Sequence, residues 1–174
     1  MPDNISPEVG ILMGSDSDWP KIKAVAEALD EFNVPYEIQV MSAHRTPELV
    51  RRYATMAAAR GLRVIIAAAG GAAHLAGVVA SHTILPVIGI PVPTELQGGL
   101  DSLLSTVQMP GDVPVATVGV GMGGPRNAGL LAVQILALGN TRLQEQLGSF
   151  RQKLAEKIHA KNAALQEQLK TAKR

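Results

Sequence analysis

The chain has 174 residues, 47% apolar but only 3% aromatic, with a formal net charge of +1 and no cysteine. Disulfides, thiolate metal sites and a Cys nucleophile are thereby excluded, as is a global field that would draw in nucleic acid or an anionic membrane. The length suits one domain with a real hydrophobic core plus an appendage, and that core must be built from Ala, Val, Ile and Leu.

From Met1 to Gly10 no basic stretch precedes an apolar run, so no signal peptide is expected and the cytoplasm is the expected location. Val9 to Met13 reads as a strand. Pro20 to Glu31 reads as a helix, with Ile22, Val25, Ala26 and Leu29 on one face. Tyr36 to Met41 is the next strand. Pro47 to Arg60 is the next helix, with Leu49, Val50, Tyr53, Met56 and Ala57 on its apolar face. The strand Arg63 to Ala69, the helix Ala73 to Ser81, the strand Pro86 to Ile90, the helix Asp101 to Val107, the strand Val115 to Val120 and the helix Pro125 to Leu138 follow. The most apolar stretch, Val64 to Val92, is broken by Gly70, Gly71, His74, His82 and Pro86, so it is no spanning helix.

Apolar strands alternating with amphipathic helices imply a parallel sheet covered on both faces and wound by right-handed crossovers. The expected fold is a three-layer α/β/α sandwich of flavodoxin-like type over residues 1–140. Thr46 is positioned to cap the helix that begins at Pro47, and Ser17 and Asp18 stand similarly before Pro20.

Residues 141–174 differ. Leu143, Leu147, Phe150, Leu154, Ile158, Leu165 and Leu169 form an apolar stripe in a segment otherwise rich in Lys, Arg, Gln and Glu. One amphipathic helix or two is expected. It either lies on its own domain or forms an arm on a neighbouring subunit, and the length of the stripe favours the arm.

In open parallel sheets, ligands bind outside the carboxyl ends of the strands. Four loops at that edge are rich in small residues: Gly14-Ser15-Asp16-Ser17-Asp18, Ser42-Ala43-His44-Arg45-Thr46, Gly70-Gly71-Ala72-Ala73-His74 and Gly121-Met122-Gly123-Gly124-Pro125. Small residues let a ligand approach the backbone, and the helix N-termini behind them offer N–H groups to an anion such as a phosphate ester. The first loop also reads as a plain turn with a helix cap, and His74 as a packing or capping residue. His82 and His159 read as structural or solvent-facing. His44 stands apart, because it is paired with Arg45 between a strand end and a helix start. Arg offers a planar donor fork for phosphate, and His titrates near neutrality, which suits proton transfer. Gly119 to Gly124 matches G-x-G-x-x-G in spacing but follows the last strand, so no later strand can supply a ribose-binding acid. No G-x-x-x-x-G-K-[ST] loop, G-x-S-x-G elbow or catalytic-metal spacing is present.

Together, Met13-Gly14-Ser15-Asp16-Ser17-Asp18-Trp19, Ser42-Ala43-His44-Arg45-Thr46-Pro47, Gly70-Gly71-Ala72-Ala73-His74-Leu75 and Asp101-Ser102-Leu103-Leu104-Ser105 resemble the signatures of the class I PurE family. These are the N5-carboxyaminoimidazole ribonucleotide mutases of purine biosynthesis. Val107-Gln108-Met109-Pro110 and Asn127-Ala128-Gly129-Leu130-Leu131 fit as well, and the likeness covers about residues 8 to 138. The resemblance implies a flavodoxin-like domain assembled as an octamer, with no metal, ATP or organic cofactor. It implies that N5-carboxyaminoimidazole ribonucleotide becomes 4-carboxy-5-aminoimidazole ribonucleotide. Ser15, Ser17 and Arg45 would hold the phosphate and Asp18 the ribose hydroxyls. Ser42, Ala43 and the Gly70-Gly71-Ala72-Ala73 backbone would line the base and carboxylate pocket, with Gly14, His74 and Leu75 completing the substrate-binding set. His44 would be the general acid and base. The chain departs from the pattern at Ala76-Gly77-Val78, where Pro-Gly-Met is usual, and at Pro125-Arg126. Two rivals are a carboxylase of the same family that uses free CO2 and a non-enzymatic nucleotide-binding module on the same fold.

Overall fold

The computed structural model describes residues 6–172. The alternating pattern of the sequence becomes β1 (Val9–Met13), α1 (Trp19–Ile22), α2 (Ala24–Glu31), β2 (Tyr36–Val40), α3 (Pro47–Ala57), β3 (Val64–Ala69), α4 (Leu75–Ala80), β4 (Val87–Pro91), α5 (Leu100–Val107), β5 (Ala116–Thr117), α6 (Gly124–Ala137) and α7 (Thr141–Ala172). The five strands form one parallel sheet in the order β2-β1-β3-β4-β5, the flavodoxin-like winding. Ile11 pairs with both Ile38 and Ile66, and Ile66 in turn with Ile88.

The strand order fixes which face each helix covers. The crossover from β1 to β2 moves one way along the sheet, and the next three move the other way. Right-handed crossovers therefore put α1 and α2 on one face and α3, α4 and α5 on the opposite one. Leu12, Ile65, Ala67 and Val87 accordingly share a core with Val50, Tyr53, Ala54 and Ala57 of α3 and Leu75, Ala76 and Val79 of α4. Glycines let these helices come in close. A Cβ on Gly10 would lie 2.2 Å from the Tyr53 hydroxyl, and one on Gly89 would lie 2.4 Å from Thr106 Cγ2 of α5. Across the sheet, α6 packs on α2, where a Cβ on Gly129 would lie 2.7 Å from the Val25 carbonyl oxygen. All of β1 and β4 is buried, and each buried Leu, Ile or Val contributes about 1.5–3 kcal/mol.

Several expectations change. The strand expected from Val115 to Val120 shrinks to Ala116–Thr117, because Gly119 and Gly121 (φ 84°) turn the chain into α6. The edge strand β2 is not covered on both faces, and Ile38 and Val40 are 37% and 51% exposed. The helix expected from Pro20 to Glu31 is interrupted at Lys23. Thr46 precedes α3 but makes no side-chain cap, and neither does Asp18 before α1; Ser15 instead accepts from the Ser17 N–H and caps the 3-10 turn Asp16–Asp18.

The chain divides into two compact units, one ending at Leu136 and one beginning at Ala137. In the second, α7 is one unbroken helix of 32 residues, roughly 48 Å long. Asn140 Oδ1 accepts from the Leu143 N–H at 3.3 Å near its start. Every described residue from Arg151 onward is exposed. Among the described residues no helix is long and apolar enough to cross a membrane.

Candidate active site

Beyond the carboxyl ends of β1 to β4 lies a cleft of about 530 Å³. It straddles the place between β1 and β3 where the winding reverses, the position at which open α/β sheets take ligands.

The loop after β1 supplies Gly14, Ser15 and Asp18 to the lining. The Ser15 and Ser17 hydroxyls lie 2.8 Å apart and share a hydrogen bond, and the Ser17 N–H also donates to Asp16 Oδ1 at 3.0 Å. Ser17 therefore braces Ser15 and is not itself part of the lining. Burial pushes the Asp18 carboxyl up, and the Lys21 ammonium opposes that shift.

The loop after β2 supplies Ser42, Ala43, His44 and Arg45. The Thr46 hydroxyl accepts from the Ser42 N–H at 2.9 Å and donates to the Ser42 carbonyl at 3.1 Å, which explains why it does not cap α3. Ser42 Oγ accepts from the N–H groups of His44 and Arg45 at 3.3 and 3.2 Å. This knot fixes the two side chains that follow it. Arg45 Nη2 donates to the Gly14 carbonyl at 2.9 Å. His44 Nε2 lies 2.9 Å from Nδ1 of His74, with the two rings edge to face. Such a contact holds one proton between two imidazole nitrogens, whichever ring owns it. A smaller recess of about 320 Å³ opens beside Arg45, lined also by Val40, Met41 and Thr46.

The loop after β3 supplies Ala69, Gly70, Ala72 and, from the start of α4, Leu75. Gly71, Ala73 and His74, expected as substrate contacts, do not line the cleft. The Gly71 N–H donates to Ser102 Oγ at 2.9 Å, and the Ala73 N–H donates to Ser105 Oγ at 3.0 Å. Ser105 Oγ has one hydrogen to donate, with the Asp101 carbonyl at 2.7 Å and the Gly71 carbonyl at 2.9 Å within reach. Ser102 is fully buried. The Asp101 motif thus acts as the brace of the glycine loop. Asp101 accepts from Thr94, and that hydroxyl holds its carboxyl below the usual range.

Sequence reasoning missed two parts of the wall. Val92, Pro93 and Thr94 follow β4, where no glycine motif drew attention, although the strand-end rule applies there equally. Lys21 was missed because it looks like any solvent-facing lysine. Its signal was the spacing of three from Asp18, which puts both on one helical face. Conversely, Gly121 to Pro125 contributes nothing to the cleft. A Cβ on Gly124 would lie 1.8 Å from the Gly119 carbonyl oxygen, so these glycines serve a tight turn into α6.

Comparison with known proteins agrees with this geometry. A model of the AIR carboxylase family matches residues 8–157. The N5-carboxyaminoimidazole ribonucleotide mutase of Mycobacterium tuberculosis (strain CDC 1551 / Oshkosh) is 58% identical over 160 residues, covering 92% of this chain and 91% of its own. The protein of the same name from Bacillus subtilis (strain 168) is 53% identical, covering 88% of this chain and 95% of its own. The crystal structure of Treponema denticola PurE superposes with a TM-score of 0.82 at 32% identity, over 91% of this chain and 98% of that one. The flavodoxin-like fold is therefore a shared feature, and this chain belongs to the AIR carboxylase family.

Proposed function

We propose that this chain is an isomerase of purine biosynthesis that converts N5-carboxyaminoimidazole ribonucleotide to 4-carboxy-5-aminoimidazole ribonucleotide. The observation that carries this reading is the name shared by its relatives at 52–58% identity over most of the chain. The family description speaks of carboxylation with no such shift. Between the two names the relatives decide, because their identity to this chain is high and nearly end to end.

The cleft supports a mechanism needing few groups. Ser15 and Arg45 hold the phosphate, with Ser17 bracing the Ser15 hydroxyl. Arg45 gives one donor to Gly14 and has further donors in its fork. Asp18 accepts from the ribose hydroxyls. His44 as an imidazolium protonates N5, and the carbamate carboxyl departs as CO2. The aminoimidazole left behind is an enamine, nucleophilic at C4, and it captures the CO2. Neutral His44 then takes the C4 proton, so the ring regains aromaticity and His44 regains its charge. His74, at hydrogen-bond distance, keeps the His44 ring oriented. CO2 must stay beside C4 between the two steps, which is a demand for proximity and exclusion of water. Ala43, Ala69, Gly70, Ala72, Leu75 and Val92 give a small apolar lining suited to it.

Supplying purified protein separately with the carbamate substrate, and with aminoimidazole ribonucleotide plus CO2, tests the reading. Rapid use of the first is expected. Turnover of the second while the first is left untouched would overturn it.

We further infer a cytoplasmic homo-octamer in which α7 packs on a neighbouring subunit. The exposure of Leu154, Ile158, Leu165 and Leu169, at 42–63%, supports this, since a stripe of that kind is costly to leave in water. Ending the chain at Gly148 should lower the mass seen by light scattering, and an intact oligomer would rule the arm out.

A further inference from the structure

We propose that Lys21 is a substrate-binding residue, a second cationic contact for the anionic oxygens of the ribonucleotide. The inference deepens the functional reading above and rests on it. Lys21 lies on α1, one helical turn beyond Asp18, and helical side chains lean toward the N-terminus of their helix. Its ammonium therefore reaches the cleft, where it forms part of the lining with Asp18 and Arg45.

Charge favours a role for Lys21, since the only other cation in the lining besides Arg45 is the His44 imidazolium, which gives up its charge during the reaction. Arg45 and Asp18 cancel formally. Without Lys21 a ligand bearing a phosphate and a carboxylate would enter a cleft with no net charge from its carboxylate and guanidinium. With Lys21 the lining is positive, and burial of the ligand is opposed less. The electrostatic link between Lys21 and Asp18 is already present in the titration of the carboxyl.

The existing bond of Lys21 is of the kind a ligand displaces. Nζ donates to the Pro93 carbonyl at 3.3 Å, spanning 72 positions of sequence to the wall after β4. That is a long bond to a neutral acceptor. An ammonium has three donors, and a phosphate or carboxylate oxygen forms a shorter bond about twice as strong. Lys21 is thus held over the cleft mouth by Pro93 until a stronger acceptor arrives.

The experiment compares wild type, Lys21→Met and Lys21→Arg. It measures KM for the carbamate substrate across ionic strength, and by calorimetry the Kd of aminoimidazole ribonucleotide and of its 4-carboxy product. Lys21→Met should raise KM and Kd about tenfold, with the change in kcat the smaller one. It should also flatten the salt dependence, and Lys21→Arg should recover most of the loss. Weakening of both ligands assigns the contact to the phosphate; weakening of the product alone assigns it to the carboxylate. KM and both Kd values within twofold of wild type would overturn the proposal. So would a loss confined to kcat, which would leave Lys21 as a tie for the Pro93 wall. A wild type that binds both ligands without turnover removes the reaction and leaves Lys21 to be judged on Kd. A wild type that binds neither overturns both readings.

Discussion

The loop from Ser42 to Thr46 is held by hydrogen bonds within itself, whereas the loop from Gly70 to His74 is held by two serines of α5 more than 30 positions away. In the first, the bonds of Ser42 and Thr46 run between residues at most four apart, and only the Arg45 and His44 side chains reach further, to Gly14 and His74, so the sequence that carries the chemistry also carries most of its own scaffold. In the second, Gly70 to Ala73 provide room and no side-chain donors, so beyond two short backbone bonds of its own the loop takes its support from outside. The difference separates two kinds of failure. A change in the first loop should alter chemistry or affinity with the fold intact. A change in the support of the second should alter stability first and catalysis through it.

The sharpest way to break that contrast is His44→Asn. Asparagine keeps a hydrogen-bonding group near His74 but cannot carry a proton at neutral pH. A fall of about 10²–10⁴ in kcat is expected, with substrate Kd and Tm near wild type. A variant within tenfold of wild-type kcat would remove His44 from the mechanism. A large fall in Tm would show that the loop is not self-supporting.

Arg45→Ala comes next. It deletes the proposed phosphate contact and the bond to the Gly14 carbonyl. A rise in KM of about tenfold or more is expected, because charge-assisted bonds are the strong ones. The kcat effect should be smaller. Unchanged KM would move the phosphate away from Arg45.

The same contrast explains what was legible in the sequence. The strands, helices and winding followed from periodicity, because β1, β3 and β4 are apolar throughout and nearly all buried. The Ser42 loop was legible because its bonding residues are contiguous. Ser102 and Ser105 were visible as part of a motif, but their task was not, since it depends on α5 facing β4 across Gly89. Lys21 and Pro93 meet only through the fold. Even within the legible part, residue type misled: Thr46 has the identity of a cap and the position of one, yet its hydroxyl bonds to Ser42. The exposure of β2 had a signal in Glu37 and Gln39, which alternate with its apolar residues where β1, β3 and β4 have none. Glu37 on that strand takes Tyr53 and Arg60 as partners, which marks one of its faces as the polar side of a core helix.

The smallest expected effect is the one that tests the outer brace, Ser105→Ala set beside Ser102→Ala. Ser105 accepts from the Ala73 N–H, which also donates to the Gly71 carbonyl at 2.8 Å, so the deletion removes one of two acceptors from a residue that is 1% exposed. It also removes the one hydroxyl hydrogen that the Asp101 and Gly71 carbonyls have within reach. Ser102→Ala removes the acceptor of the Gly71 N–H, which is partly open to water, and a side-chain bond to the Asp101 carboxyl. Ser105→Ala and Ser102→Ala should therefore each lower stability by about 1 kcal/mol, read from urea midpoints at constant slope. The double variant should cost less than the sum, because both serines hold the same loop and the first deletion already frees it. Strict additivity would mean that the loop keeps its shape without α5. The distinction between the two loops would then lie in their composition and not in what holds them.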